Sequence, residues 1–172
     1  MKIAKTLISE KEIQEKIKHL SRKIEEDFKG EEVVVVGVLK GAVVFVSDLI
    51  RNLELPITLD FMAVSSYGMS TESSGVVKIL KDLDTDIEGK NVLIVEDIID
   101  TGLTLKYLCE NLRTRMPKSL RLCTLLDKPE RRKCDINVDY IGFQIPDEFV
   151  VGYGIDCKEQ FRNLPYVGVV EV

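Results

Sequence analysis

Two runs of apolar residues constrain the fold of this 172-residue chain more than any other feature. The first is Val33–Leu39, which is built mainly of valine, and the second lies within residues 90–95. A strand that is covered on both faces, as in a parallel sheet, is continuously apolar, whereas a strand with one face in water alternates apolar and polar residues. The two runs therefore predict central strands of a mostly parallel sheet with helices on its faces.

Helical patterns alternate with the strands. Ser9 and Glu12 have the spacing of a capping box, and apolar residues then recur every three or four positions as far as Phe28, before Gly30 ends the helix. Further helices are predicted at residues 42–52 and 103–115, and further strands at residues 57–64, 76–80, 120–126 and 138–143. This order predicts an α/β fold whose mostly parallel sheet is flanked by helices.

Two segments depart from the alternation. Residues 65–75 are rich in Ser, Thr and Gly and have no apolar period, which is typical of a functional lid. Residues 145–172 combine loops with short strand-like pieces, so we expect a small hood formed with the N-terminal segment rather than a second domain. No linker or internal repeat is visible, and residues 1–172 are predicted to form a single domain.

The composition excludes several classes of function. The net charge of −5 argues against nonspecific nucleic-acid binding, and no apolar run approaches the roughly 20 residues of a membrane-spanning helix. The four cysteines lack CxxC spacing and the only histidine is His19, so a metal would be held by carboxylates, which favours a hard ion such as Mg²⁺. Because the N-terminus has no signal-peptide core, we expect a cytoplasmic protein.

The stretch from Val92 to Thr104 carries the main chemical signal. Glu96 and Asp97 stand at the end of a buried strand, where an open α/β sheet binds its ligands, and paired carboxylates can accept hydrogen bonds from a ribose diol. A helix then begins in the sequence Asp100-Thr101-Gly102-Leu103-Thr104, and the free N–H groups of a helix N-terminus suit a phosphate. The stretch therefore predicts a site for ribose 5-phosphate.

This stretch resembles the phosphoribosyl-pyrophosphate (PRPP) binding motif of type I phosphoribosyltransferases, with the spelling VEDIIDTGLTL of the hypoxanthine-guanine phosphoribosyltransferase branch. The resemblance extends from about residue 33 to residue 170. It implies a purine salvage enzyme that transfers the 5-phosphoribosyl group from PRPP to hypoxanthine or guanine, giving IMP or GMP and pyrophosphate. It also implies a PRPP contact along Glu96, Asp97 and the five residues 100–104.

Further residues gain roles from the resemblance. Lys40 and Gly41 lie in a strand-to-helix turn that resembles the pyrophosphate loop, in which the matching Lys40-Gly41 peptide can be cis. The other residues implied in pyrophosphate binding are Ser66, Tyr67 and Arg162. The residues implied in purine binding are Lys128, Phe149 and Val150, and the carboxylates implied in metal binding are Glu96, Asp97 and Asp156. Leu103 departs from the family pattern, since some members have a lysine there.

The chemistry implied for these residues has a physical logic. The ammonium of Lys128 only donates hydrogen bonds, so it fits the 6-oxo group of a purine and rejects the 6-amino group of adenine. Asp100 is the candidate base that accepts the N7 proton of the purine. PRPP is an anion and the site is acidic, and a bridging Mg²⁺ would relieve this repulsion.

Alternatives remain open on the sequence alone. A PRPP- or nucleotide-sensing regulator on the same fold would bind RNA or DNA, and its nearest basic cluster would be Arg113, Arg115, Lys118 and Arg121. A transferase that prefers xanthine is a second alternative, because xanthine differs from the other two bases at position 2, where the implied contact is made by backbone. The resemblance also implies a homodimer or homotetramer, which the residue pattern does not address.

Overall fold

The computed structural model describes residues 1–65 and 77–171. It has an α/β fold with one large sheet, one small sheet and three helices. The elements are, in chain order, β1 (Lys2–Ile8), α1 (Glu10–Phe28), β2 (Val33–Leu39), α2 (Val43–Arg51), β3 (Ile57–Ser65), β4 (Lys78–Lys81), β5 (Asn91–Ile99), α3 (Leu103–Arg113), β6 (Ser119–Asp127), a 3₁₀ turn (Pro129–Arg131), β7 (Tyr140–Gln144), β8 (Val150–Val151) and β9 (Val167–Glu171).

The large sheet has the strand order β4-β3-β2-β5-β6-β7. Its strands pair in parallel, apart from the antiparallel edge strand β4. The side chains of β2 alternate between two apolar cores, one on each face of the sheet: Val33 and Val35 pack in one core, and Val34 and Val36 pack in the other. Both faces of β2 are therefore dry, which is the reason for its unbroken apolar sequence, and the predicted fold class is confirmed.

Helix α1 begins as its sequence predicts. The Ser9 hydroxyl accepts from the backbone N–H of Glu12 at 3.2 Å, and the Glu12 carboxylate accepts from the backbone N–H of Ser9 at 2.8 Å. One face of the helix is buried, including Ile13, Ile17 and Phe28. No helix in the described parts of the chain is long and apolar enough to cross a membrane.

The hood is a second, three-stranded sheet with the order β1-β9-β8. Strand β1 pairs with β9, and β9 pairs with β8 through Val150 and Val169. The N-terminal and C-terminal segments thus form one sheet, as expected for the hood, although the sequence pattern did not predict β1 as a strand.

The end of β5 and the start of β4 differ from the prediction. Strand β5 continues to Ile99, so Glu96 and Asp97 lie inside the strand rather than after it, because β6 continues to pair alongside them. The returning strand β4 begins at Lys78 rather than at residue 76. The predicted lid falls almost entirely on residues 66–76, which lie outside the described residues.

Candidate active site

The strand order places the candidate site at the centre of the large sheet. From β2 the chain proceeds to β3 on one side, whereas β5, β6 and β7 succeed one another on the other side. The crevice between two strands whose connections diverge in this way is the usual ligand site of an open α/β sheet. Here the crevice lies between the carboxyl ends of β2, which leads to Lys40 and Gly41, and of β5, which carries Glu96 and Asp97.

The acidic pair of β5 is electrostatically unfavourable without a cation. Burial and the neighbouring Asp97 carboxylate raise the pKa of Glu96 well above its usual value, and burial also raises the pKa of Asp97. Each carboxylate accepts one backbone N–H bond, from Asp97 to Glu96 at 3.0 Å and from Ile98 to Asp97 at 2.6 Å. Two adjacent carboxylates in a poorly solvated cleft favour a bound cation or ligand hydroxyl groups.

The turn after β2 packs directly on this pair. A Cβ atom placed on Gly41 would lie 1.8 Å from the Oδ2 atom of Asp97, so a larger residue there must displace the carboxylate or the turn. The peptide bond between Leu39 and Lys40 is cis, one residue before the Lys40-Gly41 bond that the resemblance indicated. The backbone of the candidate pyrophosphate loop and the candidate ribose-binding carboxylate are thus in contact.

The segment 100–104 forms a small pocket at the start of α3. The pocket has a volume of about 150 Å³, and its lining includes Asp100, Thr101 and Thr104 as well as Glu96. Gly102 has a φ of +82°, a left-handed conformation that glycine adopts easily, and its carbonyl accepts the first helical bond from Lys106 at 2.9 Å. Glu96 of the acidic pair and the helix N-terminus therefore line one cavity.

Residues 128–134, here called the strap, bind this segment from the outside. The backbone N–H of Lys128 donates to the carbonyl of Ile99 at 2.9 Å, and the backbone N–H of Lys133 donates to the carbonyl of Thr101 at 2.9 Å. A Cβ atom on Gly102 would lie 3.2 Å from both the Arg132 and the Cys134 side chains. The strap thereby holds the loop between β5 and α3 in place.

Three charged side chains of the strap pair with carboxylates around the candidate site. Lys128 is 7% exposed, and its Nζ atom lies 3.6 Å from the Oδ1 atom of Asp147. The Nε atom of Arg131 donates to the Oδ1 atom of Asp100 at 2.7 Å, and Arg132 donates to the buried Asp127 at 2.6 Å. Sequence reasoning missed these partners of Asp100 and Lys128, although the run of basic residues directly after β6 could have drawn attention to the strap.

The hood carries the candidate base-stacking residue. Phe149 immediately precedes β8 and is 49% exposed, so it is not an ordinary core aromatic, whereas Val150 is buried. The carbonyl of Phe149 accepts from the backbone N–H of Val170 at 3.0 Å, which fixes the backbone beside the exposed ring.

Lys40 and Arg162, the candidate pyrophosphate-binding cations, pair with the same carboxylate. Glu159 accepts from the Nζ atom of Lys40 at 3.1 Å and from Arg162 at 3.1 Å. Arg162 also pairs with Asp156 at 3.1 Å and donates to the carbonyl of Gly154 at 2.8 Å. Ser66 and Tyr67, the other candidates for this part of the site, lie outside the described residues.

The candidate metal-binding carboxylates do not form one cluster. Within residues 1–65 and 77–171, no group of three or more His, Cys, Asp or Glu side chains could hold a metal ion. Asp156 pairs with Arg162, while Glu96 and Asp97 stay together on β5. The residues present fit an ion that takes one or two protein carboxylates and completes its shell with substrate oxygens and water, which is the usual binding mode of Mg²⁺.

Comparisons with known proteins agree with this geometry. A family model described as a phosphoribosyl transferase domain matches residues 5–158. The hypoxanthine-guanine phosphoribosyltransferase of Bacillus subtilis is 55% identical over 98% of this chain and 94% of its own length, and that of Mycobacterium avium is 51% identical over 98% and 86%. A crystal structure of a hypoxanthine-guanine phosphoribosyltransferase from Bacillus anthracis, with a HEPES molecule in its active site, superposes with a TM-score of 0.96 at 58% identity and covers 99% of this chain and 100% of that one. The chain belongs to the phosphoribosyltransferase family.

Proposed function

We propose that this protein is a purine salvage enzyme that transfers the 5-phosphoribosyl group from PRPP to hypoxanthine, guanine or both, with release of pyrophosphate. The observation that carries the proposal is the position of Lys128, whose backbone N–H is bonded to Ile99 at 2.9 Å, beside the loop that leads from the acidic pair into the helix N-terminus. A buried lysine thus stands beside the loop that lines the proposed ribose-phosphate pocket. The names of the relatives support the same reaction.

The phosphoribosyl group would occupy the crevice at β5. Its 5-phosphate would sit in the pocket at the start of α3, where residues 101–104 offer backbone N–H groups and the hydroxyls of Thr101 and Thr104. Glu96 and Asp97 would accept from the ribose hydroxyls. Leu103 contributes no charge, so backbone and hydroxyl donors carry the phosphate contact.

The purine would lie between the strap and the hood. Lys128 would donate to O6, which favours a 6-oxopurine over adenine. The exposed ring of Phe149 would stack on the base, and the backbone of the buried Val150 would meet its N1/C2 edge. Since that edge meets only backbone, the position gives little discrimination between hypoxanthine, guanine and xanthine.

The pyrophosphate would lie over the turn after β2. Lys40, the backbone of Gly41 and the fork of Arg162 provide its donors, and Ser66 and Tyr67 would complete the contact. Mg²⁺, held by Glu96, Asp97 or Asp156 together with substrate oxygens, would neutralise charge on the leaving group. Burial raises the pKa of both carboxylates of the acidic pair, so their ionised forms would gain from such a cation.

The reaction would be a displacement at C1 of the ribose. A ring nitrogen of the purine attacks C1 as the bond to pyrophosphate breaks, through a transition state with oxocarbenium character. Asp100 accepts the N7 proton that the base loses. Lys128 orients the base through O6, and the strap keeps both residues on the same side of the crevice.

No observation favours the alternative of a nucleic-acid-binding regulator. Three of the four residues in its basic cluster pair with carboxylates: Arg115 with Asp82, Lys118 with Glu31, and Arg121 with Asp27. The four cysteines are free thiols, which supports a reducing compartment such as the cytoplasm. We also propose a homodimer or homotetramer, which light scattering of the purified protein would test.

The experiment that tests the proposed function is a panel of bases with PRPP, followed by pyrophosphate release. Hypoxanthine and guanine should turn over with Mg²⁺ and stop when the metal is chelated, while adenine should be inert. Faster turnover of xanthine than of hypoxanthine and guanine would show a preference for xanthine instead of the proposed one. Absence of turnover with every base would overturn the proposal.

A further inference from the structure

Four charged side chains of alternating sign form a series of ion pairs at the strap. Arg131 donates from Nε to Oδ1 of Asp100 at 2.7 Å, and its NH1 atom lies 3.6 Å from Oδ2 of Asp147. The Nζ atom of Lys128 lies 3.6 Å from the other oxygen of Asp147. The series Lys128, Asp147, Arg131, Asp100 thus connects the residue proposed to read O6 with the residue proposed to accept the N7 proton.

The backbone around Arg131 is fixed by contacts on both sides. Lys128, three residues before it, is bonded to Ile99, and Lys133, two residues after it, is bonded to Thr101. Arg132 donates both to the backbone carbonyl of Asp100 at 3.3 Å and to the carboxylate of Asp127 at 2.6 Å. These bonds tie the 3₁₀ turn to the loop that carries Asp100, so the contact between Arg131 and Asp100 is built into the strap.

We propose that Arg131 is a positioning residue that orients the carboxylate of Asp100 for proton transfer, an inference that rests on the proposed function. Arg131 holds Asp100 through Oδ1, which leaves Oδ2 to meet the N7–H group of the purine. A carboxylate held through one oxygen presents the other in a defined direction, and a defined geometry is what proton transfer requires.

Two opposing effects decide the sign of the outcome. A guanidinium beside a carboxylate weakens it as a base, whereas fixing its orientation makes it more effective. The side chains of Arg131 and Asp100 are each 45% exposed, so solvent screens the charge effect strongly. The orienting effect is therefore the larger one, and loss of Arg131 slows the reaction.

Asp147 supports the same arrangement from the hood side. Its two oxygens face Arg131 and Lys128 separately, so it holds the guanidinium toward Asp100 while keeping the ammonium at the edge of the base site. Asp147 therefore acts on Asp100 through Arg131.

The test is a double-mutant cycle between Arg131→Gln and Asp100→Asn, measured with hypoxanthine and PRPP at saturating Mg²⁺. We expect Arg131→Gln to lower kcat about tenfold, within the roughly 10²–10⁴-fold that a positioned base contributes, with the KM for PRPP unchanged. In the Asp100→Asn background the same substitution should change kcat by less than about twofold, because the carboxylate to be oriented is gone. Arg131→Lys should recover part of the rate.

The matched control is Arg115→Gln. Arg115 makes a bidentate pair with Asp82 at 2.8 and 3.0 Å at a distance from the crevice in sequence and fold, and its loss should leave kcat unchanged. Circular dichroism and thermal unfolding of each variant separate a folding defect from a catalytic one. An Arg131→Gln enzyme that is folded and keeps the wild-type kcat, or that loses the same factor with and without the Asp100 carboxylate, would overturn the inference.

The outcomes distinguish this inference from the function on which it rests. A wild-type protein that turns over no base contradicts the proposed function itself. An active wild type with an equally active Asp100→Asn variant contradicts the role of Asp100. An active wild type that loses rate with Asp100→Asn but not with Arg131→Gln contradicts the positioning role alone.

Discussion

Gly41 is the residue at which the turn after β2 meets the acidic pair. A Cβ atom there would lie 1.8 Å from Oδ2 of Asp97, so an alanine must displace either the turn or the carboxylate. We predict that Gly41→Ala lowers kcat/KM for PRPP about 10²-fold, because displacing a reacting group by an ångström has an effect of that order. Steady-state kinetics with PRPP as the varied substrate would measure it.

Gly30→Ala is the control for the loss of a glycine. Gly30 has a φ of +78°, and a Cβ atom added there would meet nothing within 4 Å, so alanine at this position introduces strain but no clash. It should lower the free energy of unfolding by about 1 kcal/mol and leave turnover intact. Equal losses of activity in the two variants would mean that the contact with Asp97 is not the cause.

Glu159 would compete with pyrophosphate for the candidate cations Lys40 and Arg162. The ammonium of Lys40 and the guanidinium of Arg162 hold the pKa of Glu159 below its usual value, so the carboxylate is ionised and pairs with both groups at neutral pH. We predict that Glu159→Gln tightens the binding of Mg²⁺-pyrophosphate about threefold, a modest gain because these pairs are exposed to solvent. Isothermal titration calorimetry would measure the dissociation constant.

Glu148→Gln provides a comparison for this gain. Glu148 pairs with Lys5 at 2.8 Å in the hood, so its loss also removes a negative charge but frees no candidate pyrophosphate cation. The dissociation constant of the Glu148→Gln variant for Mg²⁺-pyrophosphate should equal that of the wild type. A similar gain in both variants would point to overall charge rather than to Lys40 and Arg162.

By its chemistry alone, the sequence suggests the role of a single residue only where the chain keeps neighbouring site residues together. Asp100 and Thr101 adjoin the acidic pair in sequence, which is why the sequence predicts a phosphate beside a ribose diol. Arg131 and Asp147 are far from Asp100 along the chain, and each is an ordinary charged surface residue by type. Only the folded strap brings these three residues together.

At the scale of elements, Asp60 joins β3 to the turn that follows β4. Its carboxylate accepts from the backbone N–H groups of Phe61, Asp84 and Thr85 at 2.8, 3.0 and 2.8 Å. Burial alone would raise the pKa of Asp60, but these hydrogen bonds outweigh it and the pKa lies below its usual value. We predict that Asp60→Asn lowers the free energy of unfolding at pH 7 by about 1–3 kcal/mol, because an amide cannot accept all three bonds.

The pH dependence of this effect has a definite sign. A carboxyl whose pKa is lower in the folded than in the unfolded state contributes stability above the unfolded pKa, and this contribution is lost as the pH falls through the folded value. Urea unfolding between pH 7 and pH 3 should therefore show a shallower acid decline for Asp60→Asn than for the wild type. The exposed Asp135→Asn should match the wild type, and parallel declines for all three proteins would contradict the prediction.

The elements themselves differed in how much their sequence revealed. Strand β2 and helix α1 bury whole faces, so the apolar pattern gave the strand its bounds and the capping box gave the helix its start. Strand β5 runs past the point where its apolar pattern stops, because β6 pairs with it beyond Glu96. Strand β1 is mostly exposed and pairs with the distant β9, so no local pattern marked it.

At the scale of the whole molecule, the first residues of the chain support the strand pair that holds the candidate stacking residue Phe149. Strand β1 pairs with β9, which pairs with β8 and bonds to the carbonyl of Phe149. We predict that deletion of residues 2–8 raises the KM for hypoxanthine several-fold and leaves the KM for PRPP within about twofold. A loosened hood must become ordered when the base binds, and the entropy lost in this ordering weakens the binding of the base. The two KM values, measured on one preparation, provide the comparison.

A rise in both KM values together would show instead that the deletion disturbs the large sheet. Thermal unfolding should separate the cases, because a lower midpoint with an unchanged KM for PRPP places the defect in the hood. The fold class followed from the alternation of strands and helices. The pairing of β1 with β9, on which this prediction rests, could not be predicted, because it joins the two ends of the chain.

Gly154 of the hood stands against the same turn as the acidic pair. A Cβ atom on Gly154 would lie 2.2 Å from the carbonyl oxygen of Gly41. Gly41 in turn packs against the carboxylate of Asp97. For anyone who designs variant libraries of this protein, position 154 therefore meets fixed backbone, whereas position 41 meets the end of a side chain. A larger residue at position 154 requires the turn to move away from the hood, and a larger residue at position 41 requires Asp97 or the turn to move.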